Sequence, residues 1–215
     1  MKSLWLAAGL MLASVHAQAD IADHRYPDNS HTIRITGKLM PGDATVFRTI
    51  ALEIPLVHRV EVLLTSPGGS LDAMLEIGQI IRQRGWTTIA MDKCNSSCAY
   101  IWLAGYKREI YPGTVLGFHA VGTDCESGVC QRISGSGNAL LGAYLNELGF
   151  DDKAIRLFTK APPDDATWVS AATFAQYGIS FEMYSLTAKP EPPAQPTSLE
   201  GPKVSSIVHG CCTTW

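Results

Sequence analysis

Three short segments of this sequence carry residue types that serve acyl transfer. Gly68-Gly69 ends an apolar run, Ser96-Ser97 begins a segment of small residues, and His119 ends a second apolar run. A serine hydroxyl is a nucleophile, an imidazole is its general base, and main-chain amides stabilise the oxyanion that forms. Together the three segments predict a serine hydrolase site.

Each of these residues also has a purely structural interpretation. A serine at the first turn of a helix is commonly an N-cap, and a glycine pair after a strand is commonly a tight turn. A histidine after an apolar strand is more often a structural residue than a base. Two adjacent serines, Ser96 and Ser97, allow one to cap while the other reacts. An imidazole with a pKa of about 6.5 is suited to taking a hydroxyl proton at neutral pH, and the combination of segments favours catalysis.

Strands and helices alternate around these segments. Apolar runs and period-two alternation predict strands at residues 32–37, 60–64, 87–91, 109–111, 115–118 and 179–184. Helical spacing and capping residues predict helices that begin near Gly42, Ser70, Ser97, Asn138, Asp151 and Ser170. Residues 20–30 are expected to be a loose lead-in, and residues 122–137 an exposed loop. This order predicts an α/β fold with the polar segments at the sheet edge where ligands bind.

Composition and the N-terminus bear on partners and location. The 215 residues are 46% hydrophobic and 17% charged with a formal net charge of −3, which gives no reason to expect a nucleic-acid partner. Lys2 precedes an apolar core, and Ala17-Gln18-Ala19 offers a small-x-small cleavage pattern. We therefore expect residues 1–19 to be a signal peptide and the mature chain to be periplasmic or secreted, without a membrane-spanning segment.

Export changes the interpretation of the six cysteines. Cys94 and Cys98 are four residues apart, and Cys125 and Cys130 are five apart. In an oxidising compartment these four are disulfide candidates, although six cysteines allow 15 full pairings. We favour a bond between Cys94 and Cys98, because one helical turn brings their Cα atoms to about 6 Å. A zinc site made of the four cysteines is the alternative, but its spacings depart from the usual two-residue gaps.

The motifs resemble those of the Clp protease proteolytic subunit and, more widely, the Clp/crotonase superfamily. The resemblance depends on three motifs: Ser66-Pro67-Gly68-Gly69-Ser70, Ser96 nine residues before Gly105, and Gly117-Phe118-His119. It covers about residues 32–185 and is nearest to an exported bacterial Clp-like branch, in which a serine lies between two cysteines. It implies an α/β fold, a single-domain ββα spiral over residues 20–188. Separately, four prolines between Lys189 and Pro196 predict a linker, and the rest of 189–215, which includes Cys211 and Cys212, is expected to be a disordered tail.

The resemblance also implies roles for residues of the site. Ser96 matches the nucleophile and His119 the general base. Gly68, Gly69 and Ser97 match the amide donors of the oxyanion hole. The resemblance implies neither a cofactor nor a metal. It implies a peptide or protein substrate and leaves a homo-oligomer open.

The third catalytic residue is harder to place. The ungapped match falls on Pro162, and two carboxylates follow it closely. We expect Asp165, or else Asp164, to orient the histidine, although a solvated loop pair explains both residues equally well. A serine–lysine dyad that uses Lys153 or Lys160 is the mechanistic alternative.

The sequence is therefore interpreted as an exported, ATP-independent serine peptidase that works through an acyl-enzyme. Three alternative functions stay open: an inactive Clp-like binding or assembly protein, an esterase or acylase with the same triad, or a crotonase-like acyl-CoA enzyme. Fold analogy alone does not rank substrates.

Overall fold

The computed structural model describes residues 18–126 and 129–185. The predicted signal peptide up to residue 17 and the tail from residue 186 lie outside the described residues. Six helices are present in the described part: α1 Asp43–Glu53, α2 Leu71–Arg84, α3 Ser97–Leu103, α4 Gly135–Glu147, α5 Asp152–Phe158 and α6 Ala171–Gln176. No helix within these ranges has the length and apolar character needed to cross a bilayer.

Eight strands form the main sheet, and two more form a separate hairpin. The main sheet contains β1 Asp20–Arg25, β2 His31–Thr36, β3 Val60–Ser66, β4 Thr87–Asn95, β5 Lys107–Ile110, β6 Val115–Phe118, β9 Thr167–Val169 and β10 Glu182–Met183. The hairpin consists of β7 Gly122–Glu126 and β8 Val129–Ile133. Strands β2, β3, β4, β5 and β10 are parallel in that order, and β1 pairs antiparallel with β2.

Strand β4 is the centre of this sheet because it has two successive partners on one side. Its first part, Thr87 to Ala90, pairs with β5, and its last part, Lys93 to Asn95, pairs with β6. Asp92, with a φ of 51°, lies between the two parts. Strand β9 then adds to β6 in the antiparallel direction. The polar segments found in the sequence follow the ends of β3, β4 and β6.

The predicted helices flank this sheet where expected. Helix α2 begins at Ser70, whose Oγ accepts a hydrogen bond from the Ala73 amide at 3.2 Å, and it ends at Gly85 with a φ of 66°. Every residue of α3 is buried. A helix that is apolar on all sides belongs in a core, so α3 is the buried support on which the segment around residue 96 rests.

Two expectations about loops are wrong. The lead-in contains β1, an edge strand that pairs with β2 through the main chain. Its side chains are mostly exposed and give no apolar alternation, and the Asp23 carboxylate lies 2.8 Å from the His31 Nδ1. The segment predicted as an exposed loop, residues 122–137, contains the β7–β8 hairpin and the start of α4. The glycine and serine residues of this segment are typical of loops and led to the loop prediction. The strands pair through main-chain hydrogen bonds, which depend little on side-chain type.

Helix α4 also begins earlier than predicted. Its N-cap is Ser134, whose Oγ accepts from the Gly137 amide at 3.0 Å. Asn138, the predicted cap, instead donates to and accepts from the main chain of Val121 at 3.0 and 2.9 Å. Asn138 therefore fastens the segment after the predicted base to α4.

Candidate active site

Ser96 lies between β4 and α3 in a backbone conformation that residues with side chains rarely adopt. Its φ is 55° and its ψ is −126°. The Ser96 amide donates to the Gly117 carbonyl at 2.8 Å, which fixes the turn to β6. Although Ser96 occupies the N-cap position of α3, its hydroxyl makes no capping hydrogen bond. Such strain costs about 1–3 kcal/mol and is typical of functional sites, so the interpretation of Ser96 as a simple cap fails.

Ser97 has the bracing role that Ser96 lacks. Its side chain is buried, and its Oγ donates to the Gly69 carbonyl at 3.0 Å. This bond joins the first turn of α3 to the glycine turn after β3. The Ser97 amide has no acceptor among the described residues, as expected for the first turn of a helix. Its partial positive charge is available to a ligand.

The glycine turn makes very close contact with Ser96. A Cβ atom on Gly68, whose φ is 96°, would lie 2.6 Å from the Ser96 Cβ and 2.7 Å from the Asn95 carbonyl oxygen. The Gly68 amide already donates to the Ser66 Oγ at 3.0 Å. The Gly69 amide has no acceptor in the described part of the chain. Of the three predicted oxyanion donors, the Gly69 and Ser97 amides therefore have no acceptor within the described residues and are free to bind a ligand. The Gly68 amide already has an acceptor, and the missing side chain of Gly68 leaves room for Ser96.

A disulfide joins two residues that flank Ser96 in the sequence. Cys94 and Cys98 are bonded to each other, with Cα atoms 5.2 Å apart, and both are fully buried. The favoured pairing is confirmed, and the four-cysteine zinc alternative fails because two of its ligands are consumed. Across the β7–β8 hairpin, Cys125 lies opposite Cys130 in register, and a bond between those two stays a prediction.

His119 follows β6 and is half-buried. Its Nδ1 lies 2.8 Å from the Ala120 carbonyl oxygen. A carbonyl oxygen only accepts hydrogen bonds, so Nδ1 carries the proton and the Nε2 of the neutral ring is left with a lone pair. Within the described residues, His119 makes no hydrogen bond to Ser96, Asp164 or Asp165.

All the predicted site residues nevertheless meet in one place. A cavity of about 700 Å³ is lined by Ser96, Ser97 and His119, by both glycines of the turn, and by Asp164 and Asp165. Both carboxylates are exposed, and the Asp165 Oδ1 accepts a hydrogen bond from the Ala166 amide at 2.7 Å. Neither predicted lysine, Lys153 nor Lys160, lines this cavity. A dyad that uses Lys153 or Lys160 therefore has no support in the geometry.

Three further residues of this cavity were assigned no role in the sequence analysis. Tyr100 lies one helical turn after Ser96, Lys38 lies on the side of the glycine turn, and Trp168 lies on β9. Trp168 is 45% exposed, and the Lys93 ammonium lies 5.4 Å from its ring centroid. A tyrosine in an apolar helix and a tryptophan in a short strand look like ordinary packing residues in a sequence, so no signal marked them.

Comparison with known proteins places this arrangement in a fold. No family model and no curated protein matches the sequence. Among solved structures, a mutant of the 1510-N membrane-bound stomatin-specific protease is similar at a TM-score of 0.58 and 19% identity, over 70% of this chain and 77% of that one. A mutant of ClpP1 from Listeria monocytogenes is similar at 0.56 and 19% identity, over 71% of this chain and 90% of that one. The chain has the Clp protease fold.

The Clp protease fold confirms the predicted fold class, a single α/β domain. At 19% identity the likeness concerns the fold, and the chemistry has to be argued from the residues of this chain.

Proposed function

We propose that this chain is a serine peptidase that forms an acyl-enzyme at Ser96 without ATP. The observation that carries the proposal is the backbone of Ser96. Its strained φ of 55° places a half-buried, uncapped hydroxyl beside a helix N-terminus and in the same cavity as His119. A residue that serves only as a cap needs neither the strain nor the free hydroxyl.

The residues support a complete acyl-transfer cycle. The Ser96 Oγ attacks the scissile carbonyl carbon while the His119 Nε2 takes the hydroxyl proton. The Gly69 and Ser97 amides hold the oxyanion, and one such donor contributes about 3–4 kcal/mol in well-studied hydrolases. The C–N bond then breaks, and the amine leaves with the proton from His119. Water hydrolyses the ester by the same route, giving a carboxylic acid and the free Ser96 hydroxyl.

Export remains part of the proposal. The Ala17-Gln18-Ala19 pattern supports cleavage near Asp20. The buried Cys94–Cys98 disulfide gives independent support, because such bonds persist in oxidising compartments and are rare in the cytosol. A mature chain isolated with an N-terminus near Asp20 is the expected result, and an intact Met1 on cytosolic material would contradict it.

A fluorophosphonate probe tests the activity directly, because it reacts with a serine that has a base and an oxyanion hole. We expect labelling at Ser96, complete loss in Ser96→Ala, and a similar loss in His119→Ala because members of one catalytic unit are non-additive. Ser97→Ala is the matched control. It keeps the main-chain amide and is expected to retain most labelling. A folded wild-type protein that takes up no probe would favour a binding or assembly protein instead.

A further inference from the structure

We infer that Tyr100 is a positioning residue for the proposed base, because it holds the turn whose Ala120 carbonyl fixes the tautomer of His119. The inference rests on the proposed function and deepens it. It assigns the orientation of His119 to the main chain rather than to a carboxylate. The hydrogen bonds made by the main chain of His119 and of Ala120 are the evidence for it.

The Tyr100 hydroxyl lies between two main-chain carbonyl oxygens. It is 2.8 Å from the carbonyl oxygen of His119 and 2.8 Å from that of Phe158. Tyr100 is only 3% exposed, and burial raises the pKa of its hydroxyl well above the ordinary value. The hydroxyl therefore keeps its proton at any pH at which the protein is assayed, and it shares this one proton between the two carbonyl oxygens.

The next peptide group is held as well. The Ala120 amide donates to the Ala161 carbonyl at 2.9 Å, while the Ala120 carbonyl accepts from the His119 Nδ1 at 2.8 Å. The turn after β6 is thus fastened to α3 by Tyr100 and to the segment after α5 by Ala161. With this carbonyl fixed, the proton of neutral His119 stays on Nδ1, and Nε2 stays basic.

A second buried tyrosine contacts the same helix without reaching the turn after β6. The Tyr144 hydroxyl of α4 donates to the Tyr100 carbonyl at 3.1 Å. Gly78 of α2 makes room for it, because a Cβ there would lie 2.0 Å from the Tyr144 hydroxyl oxygen. Tyr144 is also buried, and its hydrogen bond reaches the main chain of Tyr100 and not His119. Tyr144→Phe is therefore the matched control for Tyr100→Phe.

The two predicted carboxylates differ from Tyr100 in exposure and in contact with His119. Asp164 and Asp165 are exposed, and neither makes a hydrogen bond to His119 in the described residues. If the Ala120 carbonyl orients the ring, Asp164→Asn and Asp165→Asn each leave the probe reaction within about threefold of wild type. A carboxylate that sets the tautomer is far more costly to remove.

The experiment measures fluorophosphonate labelling of the mature chain, separated into the maximal labelling rate and the probe concentration at half-maximal rate. Tyr100→Phe is expected to lower the maximal rate by about 10- to 100-fold, since small misplacements of a catalytic group cost up to about 100-fold, with the half-maximal concentration unchanged. Tyr144→Phe should lower it by less than about threefold. Thermal unfolding verifies that both variants are folded at the assay temperature.

The comparison of the two tyrosine variants separates positioning of His119 from general support of the fold. Wild-type labelling by a folded Tyr100→Phe, or an equal loss in Tyr100→Phe and Tyr144→Phe, would overturn the inference.

An activity-independent reading comes from ¹⁵N shifts of the His119 ring. We expect the Nδ1-protonated tautomer in the wild type and a tautomer mixture in Tyr100→Phe. A wild-type protein that shows this tautomer without any labelling would defeat the proposed function and leave the assigned tautomer standing. A ring protonated on Nε2 would defeat the inference, whatever the labelling.

Discussion

The disulfide that encloses Ser96 is expected to hold its strained conformation as well as the fold. The perturbation is the double variant Cys94→Ala/Cys98→Ala. A variant is preferable to a reductant because both cysteines are fully buried and reduction requires the turn to open. The two cysteines are four residues apart and close a loop of five. In the chain-entropy model, closing so short a loop contributes about 2 kcal/mol.

That free energy is of the same order as the strain it opposes. A non-glycine residue held at the φ of Ser96 costs about 1–3 kcal/mol. Without the bond, the turn is free to relax and move the hydroxyl away from the Gly69 and Ser97 amides. If the full 2 kcal/mol is lost from the strained form, the ratio of strained to relaxed forms falls by about 30-fold, since about 1.4 kcal/mol is a factor of ten. The reactive population then falls by at most that factor.

The assay is the rate of fluorophosphonate labelling, measured below the unfolding transition of each variant. Ile54→Ala is the control. It removes a buried side chain at the end of α1 and is expected to cost about 2–5 kcal/mol of stability while the labelling rate stays close to wild type. A double variant that loses stability but labels at the wild-type rate would show that the bond supports the fold and not the nucleophile.

Two other perturbations test neighbouring parts of the structure. Gly68→Ala should slow labelling by at least about tenfold, because its Cβ would meet the nucleophile. Gly85→Ala, with a similar positive φ but open space around it, should lower the melting temperature and leave labelling unchanged. Hydrogen bonds from Lys107 to Glu109 and, to a smaller extent, to Glu182 raise the pKa of the Lys107 ammonium. These bonds therefore stabilise the fold at pH values below the unfolded-state pKa of about 10.4, and this stabilisation is lost as the pH rises through the folded-state pKa. Since Lys107 is nearly half exposed, Lys107→Met should cost less than about 1 kcal/mol in thermal unfolding at pH 8. The difference from wild type should shrink as the pH rises above the unfolded-state pKa, and a constant difference would refute this linkage.

The sequence predicted those parts of the molecule in which the type of side chain determines the local structure or the chemistry. Ser70 and Gly85 mark the ends of α2 because a hydroxyl cap and a left-handed C-terminal residue are chemical requirements. Ser96 and His119 stand out because few other residues perform their chemistry. The resemblance added the order of these motifs, and the similar solved structures confirmed the fold.

The parts that were missed depend on the main chain. Strand β1 has exposed side chains and pairs through its backbone, and the β7–β8 hairpin is rich in residues that also form loops. The partner of the His119 ring is a carbonyl of Ala120, which any residue type supplies. No pattern of side chains marks such a group, so the sequence pointed to Asp164 and Asp165 instead.

The relative position of Ser96 and His119, the proposed nucleophile and base, follows from the register of β4 against β6. Asn95 pairs with Gly117, so Ser96 leaves its strand one residue after the pair and His119 two residues after it. The Ser96 amide donates to the Gly117 carbonyl, and a Cβ on Gly117 would lie 2.1 Å from the Asn95 Oδ1. Both contacts oppose a change in the register of β4 against β6. A register shift of one residue would move His119 by about 3.3 Å relative to Ser96. This pairing exists only because β4 turns from β5 to β6 at Asp92, so the bend in β4 is what brings the two catalytic segments into one cavity.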